Sequence, residues 1–294
     1  MRTRLLMICG TLLVAGCGAV NGARDGQTVP PARDVGPGGV VIEGKRLARD
    51  RVVVFLHIGH STMAGRSDTP AALRPFNYQS HPQLWAYAAG GLWRPAKEPL
   101  SPDSMTGSWA GPGMSILRTA LALAPDRYMV SIGHGHSGLK GGVCRNFRKG
   151  RPLYDTVMTP AMELKGRVTF GGVFAMFGLS EVNDLANAPH FGECIAGLAA
   201  EMRADLGEPE LPFILGDWEV GARAGVGPDS EAGRIIIPQI RVLPTRVAHL
   251  GVVPTEGLSI NPADEHHLDM AGNKLWAERA FDILKAQGWI RWAN

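Results

Sequence analysis

Continuous apolar runs alternate with amphipathic helical patterns from residue 51 to the end of the chain. Apolar runs of this kind are typical of strands buried on both faces, so the alternation indicates a parallel sheet covered by helices on both sides. No linker interrupts the pattern, and we expect one α/β domain over residues 48–294. The apolar runs predict strands at 51–58, 128–133, 168–177, 211–216 and 247–253. The helical patterns predict helices at about 113–124, 190–206, 229–242 and 269–286.

The N-terminal segment is predicted to lie outside this domain. A basic stretch, 1–4, precedes an apolar stretch, 5–14, that is too short to span a bilayer. It ends in Val14-Ala15-Gly16-Cys17, which resembles the lipobox of bacterial lipoproteins. The resemblance implies that residues 1–16 are a signal peptide and that Cys17 carries lipid. The alternative is an ordinary secretory signal with an incidental cysteine.

The mature chain is therefore expected to be exported and held to a bacterial membrane by lipid, on its periplasmic or cell-surface face. Residues 17–47, rich in Gly and Pro, are predicted to form a flexible tether. The formal net charge of +3 falls by two when Arg2 and Arg4 are removed with the signal, and no block of Lys or Arg is present. This balance excludes nucleic acid as an expected partner.

Two cysteines, Cys144 and Cys194, lie in the predicted domain. A disulfide between them would persist in an exported protein, but their spacing predicts a bridge no better than it predicts two buried thiols. No C-x-x-C pair is present, so a cysteine zinc site is not indicated.

A serine lies in a glycine-flanked segment directly after the first predicted strand, Gly59-His60-Ser61-Thr62-Met63-Ala64-Gly65. This position places its hydroxyl on a sharp turn at the carboxyl edge of the sheet, where open α/β sheets bind ligands. Asp264 and His267 lie on one turn just before the last predicted helix. A serine hydroxyl becomes a nucleophile when a base takes its proton and a carboxylate orients that base. The three residues predict a site for nucleophilic catalysis.

The order and spacing of these motifs resemble the SGNH (GDSL-like) hydrolases, and within them carbohydrate esterase family six and the sialate O-acetylesterase-like group. That group's first block reads approximately Gly-Gln-Ser-Asn-Met-Ala-Gly, and residues 59–65 are similar to it. Residues 93–100 followed by Gly111-Pro112-Gly113 are similar to its second block, and residues 264–268 match its Asp-x-x-His pattern. The resemblance implies a three-layer αβα sandwich with a five-stranded parallel sheet.

Carried over by this resemblance, Ser61 is the nucleophile, His267 the base and Asp264 the carboxylate that orients the base. The chain is then expected to remove O-acetyl or similar small acyl groups from carbohydrate through an acyl-enzyme, without a cofactor. Two alternatives stay open. One is a catalytically impaired, glycan-binding surface lipoprotein of the same fold, and the other is a general carboxylesterase.

An oxyanion hole requires donors directed at the developing negative charge. The N–H of Ser61 is one candidate donor. The N–H of Gly111 or Gly113, at the start of a predicted helix whose dipole favours an anion there, is a second. The family's Gln-Gly-Glu block lacks its glutamine in this chain. Asn183 is the candidate third donor, and the alternative is that it caps its own turn.

Substrate contacts are predicted beside the nucleophile. His60 and Thr62 replace the family's glutamine and asparagine, and are expected either to alter these contacts or to add a second titrating group near the nucleophile. The interval 67–110 is predicted to be a long irregular loop, in which Trp109 either stacks on a sugar ring or pins the loop to the core. The His-Gly-His stretch at 134–136 lacks the spacing of a known zinc motif, so no metal is predicted.

Overall fold

The computed structural model describes residues 38–67, 74–102, 109–137, 143–178, 181–182, 184–218, 225–263 and 265–293. In chain order its strands are β1 (Val40–Ile42), β2 (Lys45–Leu47), β3 (Val52–Gly59), β4 (Leu84–Ala88), β5 (Leu92–Pro95), β6 (Tyr128–Gly135), β7 (Thr169–Met176), β8 (Phe213–Gly216) and β9 (Leu250–Val253). Its α-helices are α1 (Ser61–Ala64), α2 (Arg74–Tyr78), α3 (Gly113–Leu123), α4 (Val143–Asn146), α5 (Pro152–Leu164), α6 (Phe191–Leu206), α7 (Glu231–Arg246) and α8 (Met270–Ala286).

A mostly parallel sheet of seven strands, in the order β5-β4-β6-β3-β7-β8-β9, forms the middle layer. Strand β3 lies at its centre, with β6 and β7 as parallel neighbours. Strands β4, β8 and β9 extend the parallel part, and β5 pairs with β4 in the antiparallel direction. All eight residues of β3 are buried, as expected for a strand covered on both faces. The carboxyl ends of six parallel strands therefore lie along one edge.

The core has two halves, one on each face of the sheet. Successive side chains of a strand point to opposite faces. Val54, Leu56 and Ile58 of β3 pack into the half formed with α5, α6 and α7. Val53 and Phe55 pack into the half formed with α3 and α8. The result is the predicted three-layer αβα arrangement.

The five predicted strands are confirmed as β3, β6, β7, β8 and β9, but the sheet has seven strands rather than five. The two missed strands, β4 and β5, lie in the interval 67–110, so the prediction that this interval is wholly irregular was wrong. They form a hairpin through Gly90 and Gly91, which both have positive φ. Strand β5 is a short edge strand with largely exposed side chains, and an edge strand needs no continuous apolar run.

The four predicted helices are confirmed as α3, α6, α7 and α8. The thirteen-residue helix α5 was missed. Pro160 stands inside this helix, and an internal proline normally indicates a helix boundary. The buried face of α5 is nevertheless periodic, with Tyr154, Val157, Met158, Ala161 and Leu164.

The C-terminal end of the predicted tether is part of the fold. Strands β1 and β2 pair as an antiparallel hairpin, and Val40, Ile42 and Leu47 are buried in the core. The predicted boundary between tether and domain at residue 47 was therefore wrong. The three apolar side chains of this hairpin pack against the core, so the hairpin belongs to the domain. Residues 1–37, which include Cys17, lie outside the described residues.

Cys144 and Cys194 form a disulfide, which resolves the alternative that the sequence left open. The bridge joins α4 to α6. Within the described part of the chain, no helix has the length and apolar character needed to cross a membrane.

Candidate active site

Ser61 lies at the carboxyl edge of the sheet, as the first residue of α1. The turn between β3 and α1 is tight. Gly59 has a φ of +149°, and a Cβ there would stand 2.1 Å from the carbonyl oxygen of Met176, so only glycine fits. The N–H of His60 donates to the same carbonyl at 2.8 Å. The backbone thus turns directly from the central strand into the helix that begins with the serine.

His267 contacts this serine. Its Nε2 lies 2.5 Å from Ser61 Oγ, and the side chain is buried, whereas Ser61 is half-buried. For Nε2 to accept the hydroxyl proton, the ring must carry its own proton on Nδ1. The structure thus brings together the predicted nucleophile and base across 206 residues of sequence. Asp264 lies outside the described residues, so its contact with Nδ1 stays a prediction.

Three polar side chains fasten the loop that carries His267 to the segment that follows α1. Ser67 Oγ donates to the carbonyl of Leu268 at 2.6 Å and accepts from Asn273 Nδ2 at 2.8 Å. Asn261 Nδ2 donates to the carbonyl of Arg66 at 2.9 Å. Sequence reasoning missed Ser67, Asn261 and Asn273, since each stands outside the family motifs and acts only through tertiary contacts.

His60 and Thr62 were predicted to contact substrate, and this prediction was wrong. Both are buried, with exposed fractions of 0% and 1%. His60 is the N-cap of α1, and its Nδ1 accepts the N–H of Thr62 at 3.1 Å. The imidazole thus replaces the shorter polar side chains that usually cap a helix, and it shapes the turn from inside.

Trp109 stands at the rim of the site. Its backbone N–H donates to the carbonyl of Gly65 at 3.2 Å, and 52% of its surface is exposed. An exposed indole held beside the nucleophile's helix is available to stack on a ligand, so the predicted sugar contact stays a prediction.

Two of the predicted oxyanion donors, Gly111 and Gly113, lie beside the buried side chain of Glu98. The Glu98 carboxylate accepts the N–H of Met114 at 2.7 Å and that of Leu100 at 3.0 Å, and it lies near the N–H of Gly111. Burial raises the pKa of Glu98 to about 7, against the opposing effect of these N–H groups. The N–H of Gly111 thus lies beside a buried carboxylate, which was not expected. Gly113 begins α3, packed on Glu98 and Leu100.

The third predicted donor, Asn183, lies outside the described residues. The neighbouring Glu181 is buried, and its carboxylate accepts the N–H groups of Val143, Cys144 and Gly178 at 2.8, 3.0 and 3.1 Å. Sequence reasoning assigned no function to Glu98 or Glu181. The available signal was that each is a carboxylate inside a segment similar to a family block.

Comparison with known families decides the kind of site. A model of the family described as "Carbohydrate esterase, sialic acid-specific acetylesterase" matches residues 51–284, which is most of the chain and includes Ser61 and His267. The chain belongs to this carbohydrate esterase family. The resemblance inferred from the short motifs is thereby confirmed.

Solved structures similar to this esterase share its fold. A protein of Arabidopsis thaliana has a TM-score of 0.66 and 19% identity, over 79% of this chain and 98% of its own. NanS has a TM-score of 0.64 and 13% identity, over 82% and 99%. A carbohydrate acetylesterase from Xanthomonas citri has a TM-score of 0.59 and 15% identity, over 86% of this chain and 60% of its own. No curated protein sequence gave a significant match.

The chemistry available to this esterase follows from the Ser61–His267 contact. A hydroxyl hydrogen-bonded to a neutral imidazole is arranged for acyl transfer, because the imidazole takes the proton as the oxygen attacks. The edge of a parallel sheet leaves the hydroxyl accessible to a ligand. Within the described residues, no group of three His, Cys, Asp or Glu side chains is arranged to hold a metal ion.

Proposed function

We propose that this chain is a serine esterase that releases acetyl or similarly small acyl groups from carbohydrate through an acyl-enzyme. The observation that carries the proposal is the 2.5 Å contact between Ser61 Oγ and His267 Nε2 inside the region that matches the esterase family. A glycan-binding protein of the same fold that had lost catalysis would have no need to keep this contact.

The reaction proceeds in two acyl transfers. Ser61 Oγ attacks the ester carbonyl while His267 Nε2 takes the hydroxyl proton. The tetrahedral intermediate collapses, the ester C–O bond breaks, and His267 returns the proton to the leaving sugar oxygen. A water then attacks the acyl-serine, with His267 again accepting the proton. Collapse of the second intermediate releases the carboxylic acid and restores the Ser61 hydroxyl. Asp264 is proposed to hold His267 in the tautomer that accepts at Nε2.

The oxyanion of each intermediate is proposed to bind the N–H of Ser61 and the side-chain amide of Asn183. A further donor is proposed at the N–H of Gly111 or Gly113, at the start of α3. Each such donor contributes about 3 kcal/mol to transition-state stabilisation in enzymes of this kind.

The substrate is proposed to be an O-acetylated sugar of the sialic acid type. Support comes from the family description, which names sialic acid, and from the exposed indole of Trp109 at the rim of the site. A similar structure from Xanthomonas citri is named a carbohydrate acetylesterase.

Export and lipid anchoring at Cys17 are also proposed. The lipobox-like sequence supports lipidation, and the Cys144–Cys194 disulfide supports an oxidising compartment. Cys17→Ser would release the protein from membranes if lipid is its anchor, and an unchanged membrane fraction would contradict anchoring at this residue.

The substrate proposal is tested by acetate release from a panel of O-acetylated sialosides, xylans and pectins, with 4-nitrophenyl acetate as a non-carbohydrate ester. We expect kcat/KM for at least one acetylated carbohydrate to exceed that for the simple ester, and Ser61→Ala to abolish release. Equal rates on all esters would favour a general carboxylesterase. Binding of glycans without any acetate release would favour the glycan-binding alternative.

A further inference from the structure

Glu181 is a buried carboxylate that the proposed chemistry does not use. Its exposed fraction is 5%, and among the described residues its hydrogen-bond partners are three backbone N–H groups. Removing a carboxylate from water costs free energy unless hydrogen bonds compensate for the lost hydration. A buried carboxylate also adds nothing to solubility, which indicates a structural role for Glu181.

The carboxylate joins the two chain segments that flank the nucleophile. One oxygen accepts from Val143 and Cys144, at the start of α4, which follows β6. The other accepts from Gly178, just after β7. Since β6 and β7 are the two neighbours of β3, and β3 leads into Ser61, Glu181 bridges the segments on either side of the serine.

The segment after β7 is fixed on both sides of residue 183. The N–H of Asp184 donates to the carbonyl of Glu181 at 2.9 Å. The Asp184 carboxylate accepts the side-chain amide of Asn187 at 2.7 Å. These two hydrogen bonds link Glu181, Asp184 and Asn187 into one network.

The disulfide anchors the same network. Cys144, whose N–H binds Glu181, is bonded to Cys194 in α6, the helix that follows the segment. Both cysteines line a cleft of about 510 Å³. The segment from Gly178 to α6 is therefore held at its start by Glu181 and at its end by the disulfide.

His60 connects this network to the nucleophile. It stands directly before Ser61, and it lies close enough to Glu181 to act on the carboxylate electrostatically. Burial raises the pKa of Glu181, while the N–H groups and His60 oppose that shift.

We propose that Glu181 is a positioning residue of this esterase, which with the Cys144–Cys194 disulfide holds the start of α4 and the turn after β7 in place on either side of the strand that leads into Ser61. The inference rests on the proposed function, since it assigns an effect on the acyl-transfer step. It predicts a loss in kcat rather than in KM, because misplaced oxyanion donors weaken the transition state and not the ground-state complex.

The test compares Glu181→Gln and Glu181→Ala in the full chain, with 4-nitrophenyl acetate as substrate and the melting temperature measured in parallel. Gln keeps one acceptor oxygen and Ala keeps none. We expect kcat to fall by about tenfold for Gln and about 100-fold for Ala, with KM within about twofold of wild type. Glu163→Gln is the matched control, because Glu163 also bridges two elements, through the Tyr87 hydroxyl and the N–H of Gly90.

The disulfide is tested by a phosphine reductant, which supplies two electrons while the sulfurs take up two protons. Reduced wild type should lose kcat as Glu181→Gln does, and Cys144→Ala/Cys194→Ala should have a low kcat that the reductant no longer changes. Wild-type kcat in Glu181→Gln, or full kcat after verified reduction, would overturn the inference while leaving the esterase intact. A wild type inactive on every ester would overturn the proposed function, and this inference with it.

Discussion

At the scale of single residues, replacing His267 should lower kcat without unfolding the protein. His267→Asn should lower kcat by about 10²- to 10⁴-fold, because general base catalysis is lost while the loop contacts around the ring persist. His266 is the natural control, since its ring lies 4.1 Å from that of His267 but Ser61 contacts His267. His266→Asn should keep near wild-type kcat. A larger loss in His266→Asn than in His267→Asn would contradict the assignment of the base.

His57 gives a second residue-scale prediction, in stability. This residue lies inside β3 with no exposed surface, and burial lowers its pKa from 6.5 to about 3. The unfolded chain therefore binds a proton between pH 6.5 and 3 that the folded chain does not, so this contribution to stability is lost as pH falls through that window.

The variant His57→Gln removes this titrating group. The difference in unfolding free energy between wild type and variant should decrease by about 2 kcal/mol from pH 7 to pH 5. Urea titrations of both proteins at each pH measure this difference in unfolding free energy. A difference that does not change with pH would show that His57 is protonated equally in both states.

At the scale of elements, the start of α3 depends on Glu98. Its carboxylate accepts the N–H of Met114 in the first turn of the helix, and burial raises its pKa from 4.5 to about 7. Between these values the folded chain holds a proton that the unfolded chain lacks. This residue therefore makes the fold less stable as pH rises from 4.5 to 7.

Glu98→Gln removes that titration. Relative to this variant, wild type should lose about 3 kcal/mol of unfolding free energy between pH 4.5 and pH 8. Denaturant midpoints of both proteins across this range measure the change. Parallel pH profiles would contradict a raised pKa for Glu98.

The elements of this fold differ in how far the sequence predicts them. The five strands with continuous apolar runs and the four helices with clean periodicity are buried against several neighbours, so local pattern and tertiary packing agree. The hairpin of β4 and β5 lies at the sheet edge, where one strand needs few apolar side chains. Helix α5 contains Pro160, and its packing outweighs the local break.

The residues of the site likewise divide into those with a local sequence signal and those fixed only by tertiary contacts. Ser61 and His267 were predictable because the strand-then-serine pattern and the motif before the last helix each place a residue at the sheet edge. The contacts of Ser67 with Leu268 and Asn273 were not, since they join residues about two hundred positions apart that carry no local signal. The burial of His60 was missed because its capping contact depends on the backbone turn.

At the scale of the whole molecule, the disulfide should contribute to stability. It links residues 50 positions apart, and closing such a loop restricts the unfolded chain. Cys144→Ala/Cys194→Ala should lower the free energy of unfolding by about 2–4 kcal/mol. Guanidinium titration measures this change, with reduced wild type expected to match the variant. Identical midpoints for oxidised wild type and variant would contradict a stabilising bridge.

The most direct test of the active site is covalent labelling of the full chain with a fluorophosphonate, followed by peptide mapping. The reagent reacts with a serine whose hydroxyl a neighbouring base activates. We expect one label per molecule, on Ser61, with esterase activity lost in proportion to labelling, and no label in Ser61→Ala or His267→Asn. An active enzyme that stays unlabelled, or that is labelled and inactivated at another residue, would contradict Ser61 as the nucleophile.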